Sequence, residues 1–370
     1  MSARYAHGLV IGKFYPPHAG HHHLVDTAAE QCALVTVVVA ASSVESVPLA
    51  LRAAWLREAH PQPHVVVAPV VDDIEIDYDD PEIWAAHVEV FRHALALAHG
   101  GLAPDVDAVF SSEAYGPELA RRFGGAHVAV DPDRIRYPVS GTMVRDDPVA
   151  AWPWLSPAVR AHLAWRVVVV GAESTGTTTL ARALAAHYAA RGGVWAATRW
   201  VPEYGRTYCE EKLAAARRAA KAAGAQEPWL DDLEWEPEEF TLIAHRQLDW
   251  EEAAARTGSP VLFCDTDALA TALWHERYLG TVSPEVLRVH ERARHDLWIH
   301  TSVDGVPFEQ DGWRDGEHVR HGMDRRLRAE LADRGLPHVV VSGPPEERLA
   351  AAVRAVDDLV AAGRRFASPL

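Results

Sequence analysis

The stretch GKFYPPHAGHHH, residues 12–23, is the strongest indication of the fold that we predict for the first half of the chain. It follows the apolar run HGLVIG (7–12), which predicts a buried strand, and it leads into a helix predicted for residues 19–32. A turn between a strand and a helix points backbone N–H groups and the positive end of the helix dipole towards a ligand above the strand. The stretch therefore predicts a phosphate site in an α/β domain.

Two histidines of this stretch are spaced to face one anion. His18 is expected at the start of the helix and His21 one turn later, so both imidazoles can reach the same phosphate. Together with Lys13 they suit adenylyl transfer, in which donors stabilise charge on the α-phosphate of ATP and on the leaving pyrophosphate. The alternative interpretations are a solvated, histidine-rich helix start and an adventitious metal site at His21, His22 and His23. His22 and His23 are expected to be bystanders.

On either side of this stretch, apolar runs alternate with amphipathic stretches, which is typical of a parallel sheet covered by helices. A doubly wound α/β domain is therefore predicted for residues 1–147. Its further strands are predicted at 33–41, 64–71, 106–112 and 126–130, and its further helices near 49–60, 81–99 and 114–123.

A second phosphate element is predicted late in the same domain, at VSGTMVR (139–145). Ser140 and Thr142 suit a helix N-terminus, where hydroxyl groups, backbone N–H groups and Arg145 could hold the β- and γ-phosphates. An ordinary helix cap is the alternative interpretation.

A domain junction is predicted where three prolines and three tryptophans interrupt the pattern, at 146–165. We place a linker at 148–165 and a second α/β domain at 166–370. Its strands are predicted at 166–171, 261–265, 296–300 and 338–342, and its helices at 177–191, near 206–222, near 236–256, at 267–279 and after the last strand.

The second domain opens with GAESTGTT (171–178), which has the G-x-x-x-x-G frame of a P-loop between a strand and a helix. Thr177 stands where the motif has a lysine for the β- and γ-phosphates, while Thr178 keeps the hydroxyl for Mg²⁺. A plain architectural turn is the alternative. The expected ATP-binding residues of this loop are Gly171, Glu173, Ser174, Thr175, Gly176, Thr177, Thr178 and Thr179.

Carboxylates follow the strand predicted at 261–265. Asp265 and Asp267 stand at the strand end, where a parallel sheet presents ligands for Mg²⁺ or a general base. We expect Asp265 to be catalytic and, with Thr178, a metal ligand. A helix cap is the alternative for this segment.

Composition excludes several classes of protein. A formal net charge of -16 argues against a nucleic-acid binder, which needs clustered Lys and Arg. No apolar run approaches the roughly 20 residues that cross a bilayer, and the start of the sequence lacks the plan of a signal peptide. Three scattered cysteines indicate neither disulfides nor a zinc site. We expect a cytoplasmic protein with small-molecule substrates, no nucleic-acid or membrane partner, and a possible homo-oligomer.

The H-x-G-H and S-x-T-x-x-R motifs resemble the nucleotidylyltransferase superfamily. The longer strings resemble the bifunctional nicotinamide-nucleotide adenylyltransferase and ribosylnicotinamide kinase of the NadR type, over nearly the whole chain. Those strings are GKFYPPHAGH (12–21), VFSSEAYG (109–116), VDPDR (130–134), YPVSGTMVR (137–145), PEYGR (202–206) and DGWRDG (311–316).

The resemblance implies a doubly wound, Rossmann-like nucleotidylyltransferase domain followed by a P-loop kinase-like α/β domain. It implies ATP as co-substrate, Mg²⁺ as cofactor, and nicotinamide mononucleotide, ribosylnicotinamide and NAD as ligands. The ATP site of the first domain is then Gly12, Lys13, Phe14, His18, Gly20, His21, Ser140, Thr142 and Arg145. The expected substrate-binding residues are Trp84, which would stack on the nicotinamide ring, and Glu203, Tyr204, Arg206, Asp267, Trp313 and Arg314.

Three functions compete at this point. The first is NAD synthesis by both domains, with Asp265, Glu203 or Asp267 as the kinase base. The second keeps only the adenylyltransferase, with the P-loop domain as a nucleotide sensor. The third is a transcriptional regulator, which the early start of the H-x-G-H strand and the acidic charge disfavour. In the kinase, the missing lysine charge would come from Arg206, Arg314, Arg320 or Arg325.

Overall fold

The computed structural model describes residues 3–309 and 317–370. The chain divides into two compact units, Met1–Val159 with Arg364–Leu370 and Arg160–Gly363. The border between the units falls inside the segment predicted as a linker. Residues 364–370, which the sequence assigns to the second domain, instead return to the first unit because Phe366 and Ala367 contact Tyr15.

The first unit is built on a five-stranded parallel sheet in the order β3-β2-β1-β4-β5. The strand order reverses beside β1, which is where a doubly wound sheet binds its ligand. The strands are β1 (Tyr5–Gly12), β2 (Cys32–Ala41), β3 (Val65–Val71), β4 (Ala108–Ser111) and β5 (Ala126–Ala129). The helices are α1 (Ala19–Gln31), α2 (Leu49–Ala59), α3 (Pro81–Ala98), α4 (Gly116–Phe123) and α5 (Gly141–Asp146).

Every strand predicted for the first half is present, because its central strands are apolar on both faces. The last seven residues of β2 are all buried, as expected for a strand between two helical layers. The predicted linker contains a helix, α6 (Pro157–Leu163), after a single 3-10 turn at Trp152–Trp154.

The second unit repeats this plan with a parallel sheet in the order β10-β9-β6-β8-β7. Its strands are β6 (Trp165–Gly171), β7 (Arg199–Val201), β8 (Val261–Asp265), β9 (Leu297–Thr301) and β10 (His338–Val341). Its helices are α7 (Thr177–Ala189), α8 (Tyr204–Ala223), α9 (Pro237–Thr257), α10 (Ala268–Leu279), α11 (Pro284–Arg292), α12 (Glu317–Asp333) and α13 (Pro345–Ala361).

The sequence analysis missed three elements of the second unit. Strand β7 has only three residues, too few to show an alternating pattern. Helix α11 is short and follows a polar loop, and helix α12 buries only four side chains, two of them charged. An α/β fold with two such domains is nevertheless confirmed.

Among the described residues, no helix is both long enough and apolar enough to cross a membrane. Cys32, Cys209 and Cys264, all among the described residues, form no disulfide bond.

Candidate active sites

The first site is a cavity of about 470 Å³ in the first unit, above the carboxyl ends of β1 and β4. All ten residues that the sequence places at this site line it. They are Gly12, Lys13, Phe14, His18, Gly20, His21, Trp84, Ser140, Thr142 and Arg145.

His18 and His21 form a stacked pair, with ring centroids 3.8 Å apart and planes inclined by 29°. Burial lowers the pKa of His18 to about 3, and burial together with the neighbouring imidazoles lowers the pKa of His21 well below its usual range. Both side chains are therefore neutral at physiological pH. Each imidazole can therefore offer an N–H group to a ligand, but neither carries a positive charge.

Gly20 allows this stack. A Cβ atom at residue 20 would lie 3.2 Å from two ring atoms of His18, which is closer than an ordinary contact. A larger residue would push the imidazole away from the helix start. The Nδ1 atoms of His18 and His21 have no hydrogen-bond partner among the described residues, although they are buried. A polar ligand would satisfy them.

Helix α5 presents the second phosphate element. Ser140 is its N-cap and accepts a hydrogen bond of 3.2 Å from the Met143 backbone. Arg145 donates to the Tyr15 carbonyl at 2.7 Å and to the Thr142 hydroxyl at 3.1 Å. These bonds hold the guanidinium beside the turn that leads to His18.

Lys13 is held at the rim of the same cavity. Its ammonium lies 3.5 Å from a carboxylate oxygen of Glu45 and donates to the carbonyl of Leu370. Arg52 pairs with Glu45 at 2.6 Å inside the unit. The lysine therefore approaches the cavity with part of its charge already offset.

The far end of the cavity is aromatic. Trp84 is 8% exposed, packs in the apolar core beneath helix α3 and donates from its indole to the Tyr78 carbonyl at 3.0 Å. Tyr78 stacks on Tyr115 with centroids 5.8 Å apart. Trp84 thus belongs both to the core and to the cavity wall.

Several residues of this cavity were missed. Asp72 pairs with His87 at 2.7 Å, and Asp131 accepts backbone hydrogen bonds from residues 135–137. The signal for Asp72 was present, since it directly follows a strand at the ligand-binding edge of the sheet. Pro369 and Leu370 also line the cavity, and nothing in their sequence indicates it.

The second site is a cavity of about 380 Å³ in the second unit, beside the P-loop and strand β8. Ten of the residues predicted for it line this cavity. They are Gly171, Glu173, Ser174, Gly176, Thr177, Thr178, Thr179, Glu203, Arg206 and Asp265.

The P-loop is held from beneath by two buried arginines. Arg320 donates to the Ser174 carbonyl at 3.1 Å, and Arg348 donates to the Thr175 carbonyl at 2.9 Å. A Cβ atom at Gly171 would lie 2.1 Å from the Thr301 hydroxyl, so only glycine fits there. Because its carbonyls are held from beneath, the loop can turn its N–H groups towards an anion. Arg320, considered above as a replacement for the lysine, supports the loop instead.

Thr178 donates a hydrogen bond of 2.5 Å to Asp265. Burial raises the pKa of Asp265, although the hydroxyls of Thr177 and Thr178 oppose this shift. Burial and the charge of Asp265 raise the pKa of Glu203 to about 7, while Arg206 opposes the shift. Carboxylates crowded in this way are suited to hold a cation or a proton.

Three predicted residues do not reach the second cavity. Thr175 is buried and its hydroxyl donates to the Ala172 carbonyl at 2.6 Å. Tyr204 packs edge-on against Trp250 with ring centroids 4.9 Å apart. Asp267 is 1% exposed, because it caps helix α10.

Three further residues predicted for the second site are not among the described residues that line the cavity. Trp313 and Arg314 lie outside the described residues. Arg325 is exposed and does not line the cavity.

An aromatic wall of the second cavity was missed. Trp235, Trp274, Tyr278 and Phe240 line it, with Trp235 and Tyr278 stacked at 5.5 Å between ring centroids. These side chains come from helices α9 and α10 and from the segment before α9. No single sequence window contains them, so no motif indicated the wall.

Comparison with known proteins agrees with this two-unit plan. Residues 9–147 match the family described as Cytidylyltransferase-like, and residues 166–348 match the family described as AAA domain. The trifunctional NAD biosynthesis/regulator protein NadR of Escherichia coli is 26% identical over 343 residues, which cover 88% of this chain and 76% of that protein. The chain is a homologue of NadR.

The NadR of Salmonella typhimurium gives the same result, with 25% identity over 88% of this chain and 75% of that protein. Two crystal structures of NadR proteins share the fold. The complex with NR has a TM-score of 0.66 at 22% identity and covers 100% of this chain and 99% of its own. The complex with NAD and AMP-PNP has a TM-score of 0.68 at 22% identity, with coverage of 99% and 100%.

Proposed function

We propose that this NadR homologue makes NAD in two ATP-dependent steps. The second unit transfers the γ-phosphoryl group of ATP to the 5′-hydroxyl of ribosylnicotinamide, giving ADP and nicotinamide mononucleotide. The first unit then transfers the adenylyl group of a second ATP to the mononucleotide phosphate, giving NAD and pyrophosphate. The relatives named above support both assignments, since they are NAD biosynthesis proteins.

The stacked pair His18 and His21 is the observation that carries the adenylyl-transfer step. In this step a phosphate oxygen of the mononucleotide attacks the α-phosphorus of ATP, and the bond to the pyrophosphate oxygen breaks. Two neutral imidazoles at the start of helix α1 donate N–H groups to the oxygens on which negative charge grows. Arg145 and Lys13 stand beside them to bind the leaving pyrophosphate.

The aromatic end of the same cavity is proposed to receive the nicotinamide ring. Trp84, Tyr78 and Tyr115 supply flat apolar faces there, while Asp72 and His87 supply polar edges. Stacking on such faces suits a planar heteroaromatic ring. ATP phosphates and nicotinamide would thus enter opposite ends of one cavity.

The contact between Thr178 and Asp265 carries the kinase assignment. Their oxygens lie at the start of α7 and the end of β8, and Glu203 adds a further carboxylate to the cavity. An all-oxygen donor set is the kind that Mg²⁺ prefers, so Thr178 and Asp265 fit this ion. When bound, Mg²⁺ would offset charge on the β- and γ-phosphates of ATP.

The chain's own residues supply the rest of this step. Glu203 or Asp265 accepts the proton of the ribosyl 5′-hydroxyl, and Arg206 faces the transferred phosphoryl group. The wall formed by Trp235, Trp274, Tyr278 and Phe240 offers a surface for the nicotinamide ring and excludes water from that side.

A nucleotide sensor is the competing function for the second unit. Thr177 favours it, because the residue that normally carries positive charge to the β- and γ-phosphates is a threonine here. We further propose that the substrates are these small molecules alone and that the reactions take place in the cytoplasm.

A paired assay tests both units. With ATP, Mg²⁺ and nicotinamide mononucleotide, the purified protein should release NAD and pyrophosphate, and His21→Ala should lower that rate by about 10²–10³-fold. The matched control is His23→Ala, because His23 lies on the same helix but does not line the cavity. An unchanged rate in His21→Ala would refute the adenylyl-transfer assignment.

With ribosylnicotinamide in place of the mononucleotide, ADP and nicotinamide mononucleotide should form. Absence of ADP, with NAD synthesis from the mononucleotide intact, would select the sensor function for the second unit.

A further inference from the structure

A buried cluster in the second unit lies outside both cavities. Asp267 is the N-cap of α10, His290 lies in the last turn of α11, and His295 precedes β9. One ligand atom from each of these three side chains lies within 4.8 Å of the other two. Helix α10, helix α11 and the segment before β9 therefore each bring one possible metal ligand to the same place.

Both histidines aim an unsatisfied nitrogen at this point. Their Nδ1 atoms are buried and have no hydrogen-bond partner among the described residues. The His295 side chain is 2% exposed, and that of His290 is 9% exposed. A buried polar atom without a partner costs free energy, so its persistence calls for a ligand such as a water or an ion.

The two distances from Asp267 to the histidines favour a metal ion over a water molecule. Asp267 Oδ2 lies 3.7 Å from His290 Nδ1 and 3.8 Å from His295 Nδ1, too far for direct hydrogen bonds. Ligands in a tetrahedral zinc site are about 3.4 Å apart, given bonds of about 2.1 Å. Partners of one water are about 4.6 Å apart, given hydrogen bonds of about 2.8 Å. The observed separations are closer to the metal geometry.

Neighbouring residues orient these ligands as in known metal sites. His295 Nε2 donates to Glu251 Oε2 at 2.8 Å, and Trp298 donates from its indole to Asp267 Oδ2 at 2.9 Å. A carboxylate on the far nitrogen of a ligating histidine fixes the ring and increases its basicity. Glu251 stands in that position.

We propose that Asp267, His290 and His295 bind a divalent transition-metal ion of the zinc class, with water as fourth ligand. Two nitrogens and one carboxylate oxygen suit Zn²⁺, whereas Mg²⁺ prefers oxygen alone. The ion would join the start of α10 to α11 and to the segment before β9. It is distinct from the Mg²⁺ assigned to Thr178 and Asp265.

The protonation state of the two histidines affects the binding of a metal ion. Burial lowers the pKa of His290, so its lone pair is available. Although burial opposes it, the carboxylate of Glu251 raises the pKa of His295. The ion must therefore displace the proton on Nδ1 of His295, while the proton on Nε2 stays on the hydrogen bond to Glu251.

A second set of three side chains, Glu251, Cys264 and His295, also brings one possible ligand atom each within 4.8 Å of one another. In this set His295 Nε2 and Glu251 Oε2 are joined by a direct hydrogen bond of 2.8 Å, which is shorter than the separation of about 3.4 Å between two ligands of one zinc ion. The set with Asp267 and His290 is therefore the one that binds metal.

The test measures bound metal in the full chain. The protein is stripped with a chelator, incubated with excess Zn²⁺ in the presence of Mg²⁺, desalted and analysed by mass spectrometry of the metal. We expect one more equivalent of Zn²⁺ in the wild type than in His290→Ala or Asp267→Asn. His321→Ala, which removes an exposed histidine, should bind as much as the wild type.

A second measurement keeps the test valid if a variant is poorly folded. Zn²⁺ should raise the Tm of the stripped wild type, and Co²⁺ should give it the visible absorption of a tetrahedral site. Equal zinc content in the wild type and a folded His290→Ala, or no tetrahedral Co²⁺ spectrum in the wild type, would overturn the proposal. His295 would then be a protonated side chain paired with Glu251 and Asp267.

Discussion

The Thr178 hydroxyl donates a hydrogen bond of 2.5 Å to the Asp265 carboxylate, joining the first turn of α7 to the end of β8. This contact places the two oxygens where one Mg²⁺ can bind both. Thr178→Val keeps the shape of the side chain and removes the oxygen. We expect it to lower the rate of ADP formation from ribosylnicotinamide by about 10²–10³-fold, comparable to the loss of a single electrostatic donor.

Thr178→Ser is the matched control, since it keeps the hydroxyl and should keep most of the kinase rate. NAD synthesis from nicotinamide mononucleotide should be unchanged in both variants, because Thr178 belongs to the second unit. Equal kinase rates in the valine and serine variants would show that this oxygen binds no metal.

Replacing Thr177 by lysine restores the residue that the P-loop frame usually has. Arg206 is the only Arg or Lys that lines the cavity among the described residues, against the carboxylates of Glu173, Glu203 and Asp265. Added positive charge should therefore favour ATP phosphates there. We expect the kinase kcat to rise by about tenfold or more, with Thr177→Met as the control for length without charge. A fall in kcat would mean that Arg206 already meets these phosphates.

Glu203 should make the stability of the second unit depend on pH. Its pKa is raised from 4.5 to about 7, by burial first and then by Asp265, so folding favours the protonated acid. This stabilising contribution is complete below about pH 4.5 and is lost as the pH rises through about 7. Relative to Glu203→Gln, the wild-type free energy of unfolding should fall over this range by at most about 3 kcal/mol.

Denaturant unfolding of both proteins in Mg²⁺-free buffer, at several pH values across that range, measures this difference. Glu210→Gln is the control, since Glu210 is exposed on the same helix. A difference between wild type and Glu203→Gln that does not change with pH would show that the Glu203 carboxyl is ionised throughout. Added Mg²⁺ should reduce the difference, because a bound cation favours the carboxylate.

Residues 364–370 should stabilise the first unit. Phe366 packs edge-on against Tyr15 with centroids 5.8 Å apart, and Tyr15 donates to the Ala367 carbonyl at 3.0 Å. Phe366→Ala should therefore lower the free energy of unfolding of that unit by about 1 kcal/mol, the scale of one aromatic pair. Ser368→Ala, at an exposed position of the same segment, should not change it. Equal stability of the two variants would mean that the contact contributes nothing.

The parts of the structure that the sequence predicts are those encoded in short windows. The strand, turn and helix around His18 and His21 lie within 27 residues, and the P-loop lies within a comparable window. Hydrophobic periodicity and glycine spacing report such local units directly. This is why the six residues predicted from that window, which are Gly12, Lys13, Phe14, His18, Gly20 and His21, all line the first cavity.

What the sequence could not predict arises from contacts between distant segments. Asp267 was expected to be a Mg²⁺ ligand or base because it follows a strand, and the resemblance implied substrate binding. Its carboxylate instead accepts hydrogen bonds from Trp298 and from the start of α10. The aromatic wall around Trp235 and Tyr278, and the neutral state of the stacked histidines, depend on burial by side chains far away in the chain. No single segment carries that information.

The return of residues 364–370 to the first unit has a consequence for how the protein is made. A ribosome synthesises the whole of Arg160–Gly363 between the two parts of that unit. Domains of a growing chain usually fold in the order of their synthesis. Here the unit begun first receives the packing contacts of residues 364–370 only after the whole P-loop unit has been synthesised.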